Sequence, residues 1–545
     1  MPYSVRETSV MSSKTFPAPS ARNQTEVYAV HGADPEVLAY AMAKYSRSAL
    51  SMRESLAEIS SQRAEQFLNT FYFQYGHRSI ADLAHIAFAV ERLSLLAAIV
   101  LVDEQRWDGQ ERSTRYQNFL KSGWYFPDFG PDSASARLFS ETVEDLFAVY
   151  QRTTAAVQDV LRQRVGRPEP LKLEAYERIL RARAFDVARY LLPLATNTSL
   201  GQIVNARTLE TQVARLLSHP AAEVRDLGLK LREAAAGPAW NVNAQAAQAF
   251  VEKLAAVDAE AASALTAEAA QLLTREVRAA PTLVKYAQPN DYELETRREL
   301  TQAATELLGK TPSRTPPHVL VDLVEPAETL EVEIASTLLY SVSHHPYRQI
   351  RDIVSQLPEA RVNEIVQLGL RHRARHDEAL RPYRAGSALR FDILMDIGGF
   401  RDLHRHRRSV QIVQNFTALH GYETPDSGDL GPGVEILAEA GILTEYQSVI
   451  EAAHAASAQI AVSQAPEAAQ SALYLLPLAT RIRALFKIDF AEAQYICELR
   501  SAAAGHFSYR RVAWEMFLAL QRRHPALAAL IRVTDFTLPI DLLQR

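Results

Sequence analysis

The chain of 545 residues contains a single cysteine, Cys497, which excludes an intrachain disulfide and a cysteine-based zinc site. Glycine is scarce, 20 residues in all. Neither sign of charge dominates: Lys and Arg total 59 against 64 for Asp and Glu, a net charge of −5. That balance argues against a general nucleic-acid binder, although it leaves room for a local basic pocket. Long apolar runs are missing too. The longest, Leu93 to Val102, is far too short to cross a bilayer, and the first twenty residues lack the apolar core of a secretory signal. The expectation is a soluble, cytoplasmic protein with no metal site.

What is abundant is Ala, Leu, Glu and Arg, a helix-forming composition. Asp34-Pro35-Glu36 reads as a helix start. Apolar spacing predicts further helices over 53–74, 139–165, 208–235, 244–275 and 490–523, and β-branched runs predict strands at Val27–Val30 and Val319–Val324. The fold class is therefore α+β, mainly helical. An internal repeat organises it. Tyr190-Leu-Leu-Pro-Leu-Ala-Thr196 recurs letter for letter as Tyr474 to Thr480, and the stretch from Val27 parallels that from Val319. The alternative is convergent helix-turn sequence. Two homologous domains in tandem follow: a tail over 1–24, a first domain over 25–287, a polar linker over 288–317 containing QPND and KTPSRTPP, and a second domain over 318–545.

Several motifs fail. Gly309-Lys310-Thr311 lacks the earlier glycine of a phosphate loop, where Ala304 stands. His372 and His376 have metal-capable spacing, but their neighbouring arginines make a solvated basic face the better reading. Cys497, within AQYICELR, reads as a core thiol. Five other groups remain: Gly76-His77-Arg78-Ser79-Ile80-Ala81-Asp82, Gln110 to Tyr116, Asn205-Ala206-Arg207 after Arg189 and Pro193, Arg401 followed by Arg405-His406-Arg407, and Leu499-Arg500. Ser113, the Thr114 amide and Arg115 supply a hydroxyl, an N–H and a cationic fork within three residues, the combination that phosphate recognition needs. Taken alone, Ser113 and Arg115 read better as a solvated surface pair.

Together these groups resemble the flavin-dependent thymidylate synthase family, over roughly 27–240 and 318–535. Neither half carries the whole family hallmark. The first half keeps Glu111, Ser113, Arg115 and Tyr116, but reads Asp103-Glu104-Gln105 where Arg-His-Arg belongs. The second keeps Arg405-His406-Arg407 and Leu499-Arg500, but has Leu473 where Arg189 stands, and Asp489 and Ala491 where Asn205 and Arg207 stand. In the family the nucleotide site is shared between subunits, and these two sets are its complementary contributions.

The resemblance implies an FAD enzyme that methylates dUMP to dTMP, with methylenetetrahydrofolate and NADPH as co-substrates. It implies dUMP contacts at Glu111, Ser113, Thr114, Arg115, Arg189 and Arg500, with Arg500 the catalytic cation that stabilises charge on the pyrimidine. It implies flavin contacts at Arg405, His406, Arg407, Asn205, Arg207 and Ser79. Asp402 in place of a family Gln, Gln110 in place of Asn, and Gly505-His-Phe-Ser-Tyr-Arg510 in place of the family tail depart from the pattern. Two alternatives stay open: flavin-dependent C5 modification of another uridine nucleotide, and a non-catalytic nucleotide- or flavin-binding protein. Because the family is a homotetramer, a homodimer of this chain, with four homologous domains, is expected, with neither membrane nor nucleic acid as a partner.

Overall fold

The computed structural model describes residues 32–44, 55–56, 78–255, 262–273, 276–284, 287–314, 319–327, 329–374, 380–383, 389–424, 433–529, 531–539 and 541–543. The predicted strand Val27–Val30 and nearly all of the predicted helix 53–74 lie outside them, as do Gly76 and His77. The helix announced by Asp34 begins at Pro35 and runs to Lys44.

Helices dominate, around two small antiparallel sheets. In the first half β1 (His85–Ser94), β2 (Asp108–Glu111) and β3 (Asn197–Asn205) form a sheet of order β1-β3-β2. In the second half β4 (Val321–Val324), β5 (Leu389–Asp396), β6 (Val410–Val413) and β7 (Arg481–Ile488) form a sheet of order β4-β5-β7-β6. Apart from the added β4, the two sheets have the same order. In both halves the first of these strands ends on the N-cap of a short buried helix: Ser94 caps Leu95–Leu101 and Asp396 caps Ile397–Leu403. The last strand ends on another cap, Asn205 before the helix Ala206–Leu217 and Asp489 before Phe490–Ser501. Each of these side chains accepts a hydrogen bond from a first-turn amide, which satisfies one of the orphan donors of a helix start.

Three stretches read as single helices are each two. The break within 208–235 falls at Ser218 to Ala221, where Pro220 cannot continue the ladder. The stretch 244–275 divides into Ala244–Ala255 and Ala262–Leu273. The stretch 490–523 divides into Phe490–Ser501 and Phe507–Arg523, with Gly505 in the bend. The polar segment 288–317 holds an 18-residue helix, Asp291–Leu308, capped by Asn290. Apolar residues on that helix, Leu300, Ala303, Ala304 and Leu308, pack into a second, smaller core with the helix Leu330–Tyr340. The main core is continuous across both halves.

The repeated heptapeptides make the seam. Leu194 N donates to Leu476 O (2.9 Å) and Leu478 N to Leu192 O (2.9 Å); Ala195 N donates to Tyr474 O (2.8 Å) and Ala479 N to Tyr190 O (3.1 Å). Each bond has a counterpart in which the two copies exchange roles, and Pro193 faces Pro477 at the centre. This is the pattern of an isologous two-fold interface, here inside one chain.

β5 and β7 are buried along almost their whole length. Their inward charges are therefore paired: Arg483 with Asp392 (2.9 Å), and Lys487 (2.6 Å) and Arg390 (2.9 Å) with Glu333. No helix among the described residues is long and apolar enough to cross a membrane.

Candidate functional site

The seam brings the two retained residue sets together within one chain. Ser113 to Arg115 follow β2. Arg115 is buried, and its Nε and Nη2 meet the two oxygens of Asp186 (2.8 and 3.3 Å). From the other half come Tyr509, whose hydroxyl accepts from Arg115 Nη1 (2.8 Å), and Ala504 O, which accepts from Nη2 (3.1 Å). The Ser113 hydroxyl accepts from Arg115 N (3.2 Å), while Thr114 is buried. Arg500 lies with its guanidinium 5.4 Å from the Tyr509 ring centre, so Tyr509 touches both cations. Arg500 Nε donates to His406 Nε2 (2.8 Å), and His406 Nδ1 donates to Glu492 (3.2 Å). Burial holds the His406 imidazole below its usual range; the bond to Glu492 opposes this and the Arg500 charge adds to it.

Arg189, at the end of the helix Leu173–Ala188, is 1 % exposed. Its Nη1 stands 3.6 Å from Asp402, yet Nε and Nη2 have no hydrogen-bond partner. Buried guanidinium donors without acceptors are costly, which sets this corner apart from the satisfied ion pairs around it. Glu111 is paired with Arg401, a further bond between halves.

That pair forms one wall of a small cleft, lined also by Ile99, Val102, Trp107, Arg405 and Arg407. Trp107 Nε1 donates to Gln202 (2.7 Å), and the Arg407 guanidinium lies 4.5 Å over its ring and bonds its carbonyl. A Cβ on Gly109 would stand 2.6 Å from that ring and 2.3 Å from Gly201 O, so only glycine lets the tryptophan fold back here. Arg405 is exposed. Burial lowers the Arg407 guanidinium, against the pull of Asp108 and helped by Arg405. Arg207 and Arg106 both reach Asp82 at 3.3 Å, which ties the turn Arg78–Leu83, carrying Ser79, to the Trp107 segment. Asn205 is spent on its cap, accepting from Thr208 N (2.8 Å). Arg401 Nε is buried without a partner. Three guanidinium groups beside an apolar aromatic wall are a donor set that fits an anionic, planar group such as FAD.

At the equivalent position in the other half the charges are matched by ion pairs. Glu104, in the place of His406, takes Arg215 through both Nε (3.0 Å) and Nη2 (2.8 Å). Asp103 pairs with Arg381 (2.6 Å). Tyr125 packs on Tyr474, ring centres 4.8 Å apart.

Trp107, Asp186, Glu492 and Tyr509 escape the sequence reading. Trp107 falls at an unspecified position within the hallmark, Asp186 and Glu492 lie outside its segments, and Tyr509 lies where the family tail is not kept. Only Glu492 carries a local signal, its spacing from Asp489. Cys497 is buried, its thiol pushed up to about 12 by burial, and no group of metal-holding side chains occurs among the described residues.

Fold and site define a tandem two-domain α+β protein with an arginine-lined pocket built from both halves. The chain belongs to the family described as thymidylate synthase complementing protein, whose model matches residues 28–237 and 332–526. A UPF0159 protein of Chlamydia muridarum is 27% identical over 537 residues, covering 92% of this chain and 91% of its own. A UPF0159 protein of Thermoplasma acidophilum is 24% identical, covering 91% and 94%. A flavin-dependent thymidylate synthase of Clostridium tetani is 25% identical over 178 residues, 32% of this chain and 67% of that protein. Among solved structures, the flavin dependent thymidylate synthase ThyX of Helicobacter pylori, complexed with FAD and dUMP, aligns at 18% identity and a TM-score of 0.23, covering 37% of this chain and 89% of its own.

Proposed function

We propose that this chain is a flavin-dependent thymidylate synthase-like enzyme, converting dUMP to dTMP with methylenetetrahydrofolate and NADPH. The observation that carries this reading is the meeting of Arg189 and Ser113 to Arg115 from one half with His406 and Arg500 from the other, within a single chain. Arg189, buried with two donor nitrogens that lack a partner, supplies positive charge beneath the phosphate position; Arg115 frames the corner, its charge already matched by Asp186. The Ser113 hydroxyl and the Thr114 amide complete the cradle. Glu111 and Arg401 stand where this corner meets the Trp107 cleft. Arg405 and Arg407, with Arg207, Asn205 and the turn bearing Ser79 beside them, would hold FAD there, the His406 ring lying behind. When bound, FAD supplies the hydride that completes the transferred one-carbon unit as a methyl group.

The chemical contribution of this chain centres on Arg500. A cation fixed where negative charge develops on the pyrimidine stabilises the transition state more than the ground state. No nucleophilic thiol takes part, in keeping with the burial of Cys497. The absorbance spectrum of the purified protein with and without dUMP tests the reading, followed by a dTMP assay with methylenetetrahydrofolate and NADPH. A flavin spectrum that changes on dUMP addition, with dTMP formed, is expected. Protein that refuses added FAD would remove it. Flavin without dTMP, but with a product from another uridine nucleotide, would redirect the substrate.

A further inference from the structure

The helix Phe490–Ser501 opens on Asp489, whose carboxylate accepts from Glu492 N (2.8 Å). Asp-x-x-Glu is capping-box spacing, in which the glutamate would turn back to the amide of the cap residue. Glu492 instead points its buried carboxylate at His406 Nδ1 (3.2 Å), and the far nitrogen of that ring accepts from Arg500 Nε (2.8 Å). Glu492 and Arg500 stand about 12 Å apart along one helix at its rise per residue, and the imidazole spans the gap. A neutral imidazole has one donor nitrogen and one acceptor nitrogen. A carboxylate at Nδ1 accepts a hydrogen bond, so the ring hydrogen lies on Nδ1 and the lone pair on Nε2, facing Arg500.

The opposite half shows what this arrangement avoids. There Glu104 grips Arg215 directly through Nε and Nη2, and Val100 O takes Nη1 (2.9 Å), so that guanidinium is neutralised and its fork consumed. In the composite site the carboxylate acts through a ring. Arg500 is held by Nε alone, and its two Nη groups make no hydrogen bond to a described residue.

We propose that Glu492 is the positioning residue for Arg500: it locks His406 in the Nδ1–H tautomer, whose Nε2 lone pair anchors the guanidinium by Nε and leaves the Nη fork for a pyrimidine carbonyl edge. The ligand in this statement rests on the function proposed above; the tautomer does not.

The full-length protein, with its histidines labelled with ¹⁵N, provides the test. The imidazole signal that vanishes in His406→Gln is expected to report a neutral ring protonated at Nδ1. In Glu492→Ala it should move toward the Nε2–H form, and calorimetric titration with dUMP should show a Kd raised about tenfold, roughly 1.4 kcal/mol. Glu492→Gln, which keeps an acceptor, should restore most of both. An Nε2-protonated ring in the wild-type protein overturns the proposal. So does a Glu492→Ala protein with lowered stability but unchanged tautomer and Kd, the result of a merely structural role. Wild-type protein with the expected tautomer and no affinity for dUMP overturns the nucleotide reading, and the relay then stands or falls on the tautomer of Glu492→Ala.

Discussion

At the residue scale, two arginines that look alike in sequence have opposite energetics. Arg115 is buried against Asp186, so Arg115→Ala removes the bidentate cation from a carboxylate held in the core. Breaking a buried pair from one side costs about 3–5 kcal/mol. Urea unfolding should show a loss of that size, whether or not ligand is present. Arg500 is part-buried and held by one bond to a neutral ring. Arg500→Ala should change stability by about 1 kcal/mol or less, yet reduce turnover by about 100-fold or more, the usual loss on removing a charge-stabilising donor. Equal destabilisation of both variants would contradict the division. The residues that contact the ligand in the proposed site were visible in the sequence because their spacing follows a family pattern. Their partners were not. Asp186, Tyr509 and Glu492 acquire roles only when the chain brings positions 115, 500 and 406 beside them, and no local periodicity encodes a contact between residues 394 positions apart.

At the scale of elements, the seam makes a prediction through its symmetry. Ala195→Pro removes the N–H that serves Tyr474 O, and Ala479→Pro removes the one that serves Tyr190 O. Each substitution strands one buried carbonyl, costing about 1–3 kcal/mol. The two unfolding free energies should fall by similar amounts; a loss confined to one variant would show that the halves do not share the seam evenly. The exact heptapeptide repeat announced the paired copies, whereas helix ends were harder to read. The break after Leu217 follows from Pro220, but the bend before Phe507 depends on Gly505, where a Cβ would meet Arg510 and Tyr509 at 2.8 Å. The two halves also solve one local problem with exchanged chemistry. Ser94 donates to Glu223 (2.6 Å), while at the corresponding cap Asp396 accepts from Ser508. Hydroxyl and carboxylate have traded places, so neither sequence alone signals the pair.

At the scale of the whole molecule, acid should weaken the fold in a defined window. Burial first, with nearby arginines adding, pushes His219 down to about 3 and His420 to about 4. Above the ordinary histidine value of 6.5 both states are neutral and nothing is lost. As pH falls below it, the unfolded chain takes up protons that the folded chain refuses, and stability drops until the folded values are reached. The slope is at most about 1.4 kcal/mol per pH unit for each histidine. Urea midpoints at pH 7 and pH 5 should therefore differ, and His420→Gln should flatten the dependence; an identical slope in that variant would remove His420 from the account. Light scattering should give a mass near twice 60.8 kDa, the homodimer that restores four domains. A mass of 60.8 kDa would remove the four-domain assembly and leave the composite pocket to one chain.

The seam between residues 190–196 and 474–480 has a further consequence, for behaviour on dilution. A site assembled from separate subunits empties as concentration falls below their dissociation constant. Here both contributors to the Arg115–Tyr509–Arg500 corner share a backbone, so they meet at an effective concentration that does not depend on how much protein is in the tube. Any loss of nucleotide affinity on dilution would then report contacts between chains, because the corner itself has nothing to dissociate from.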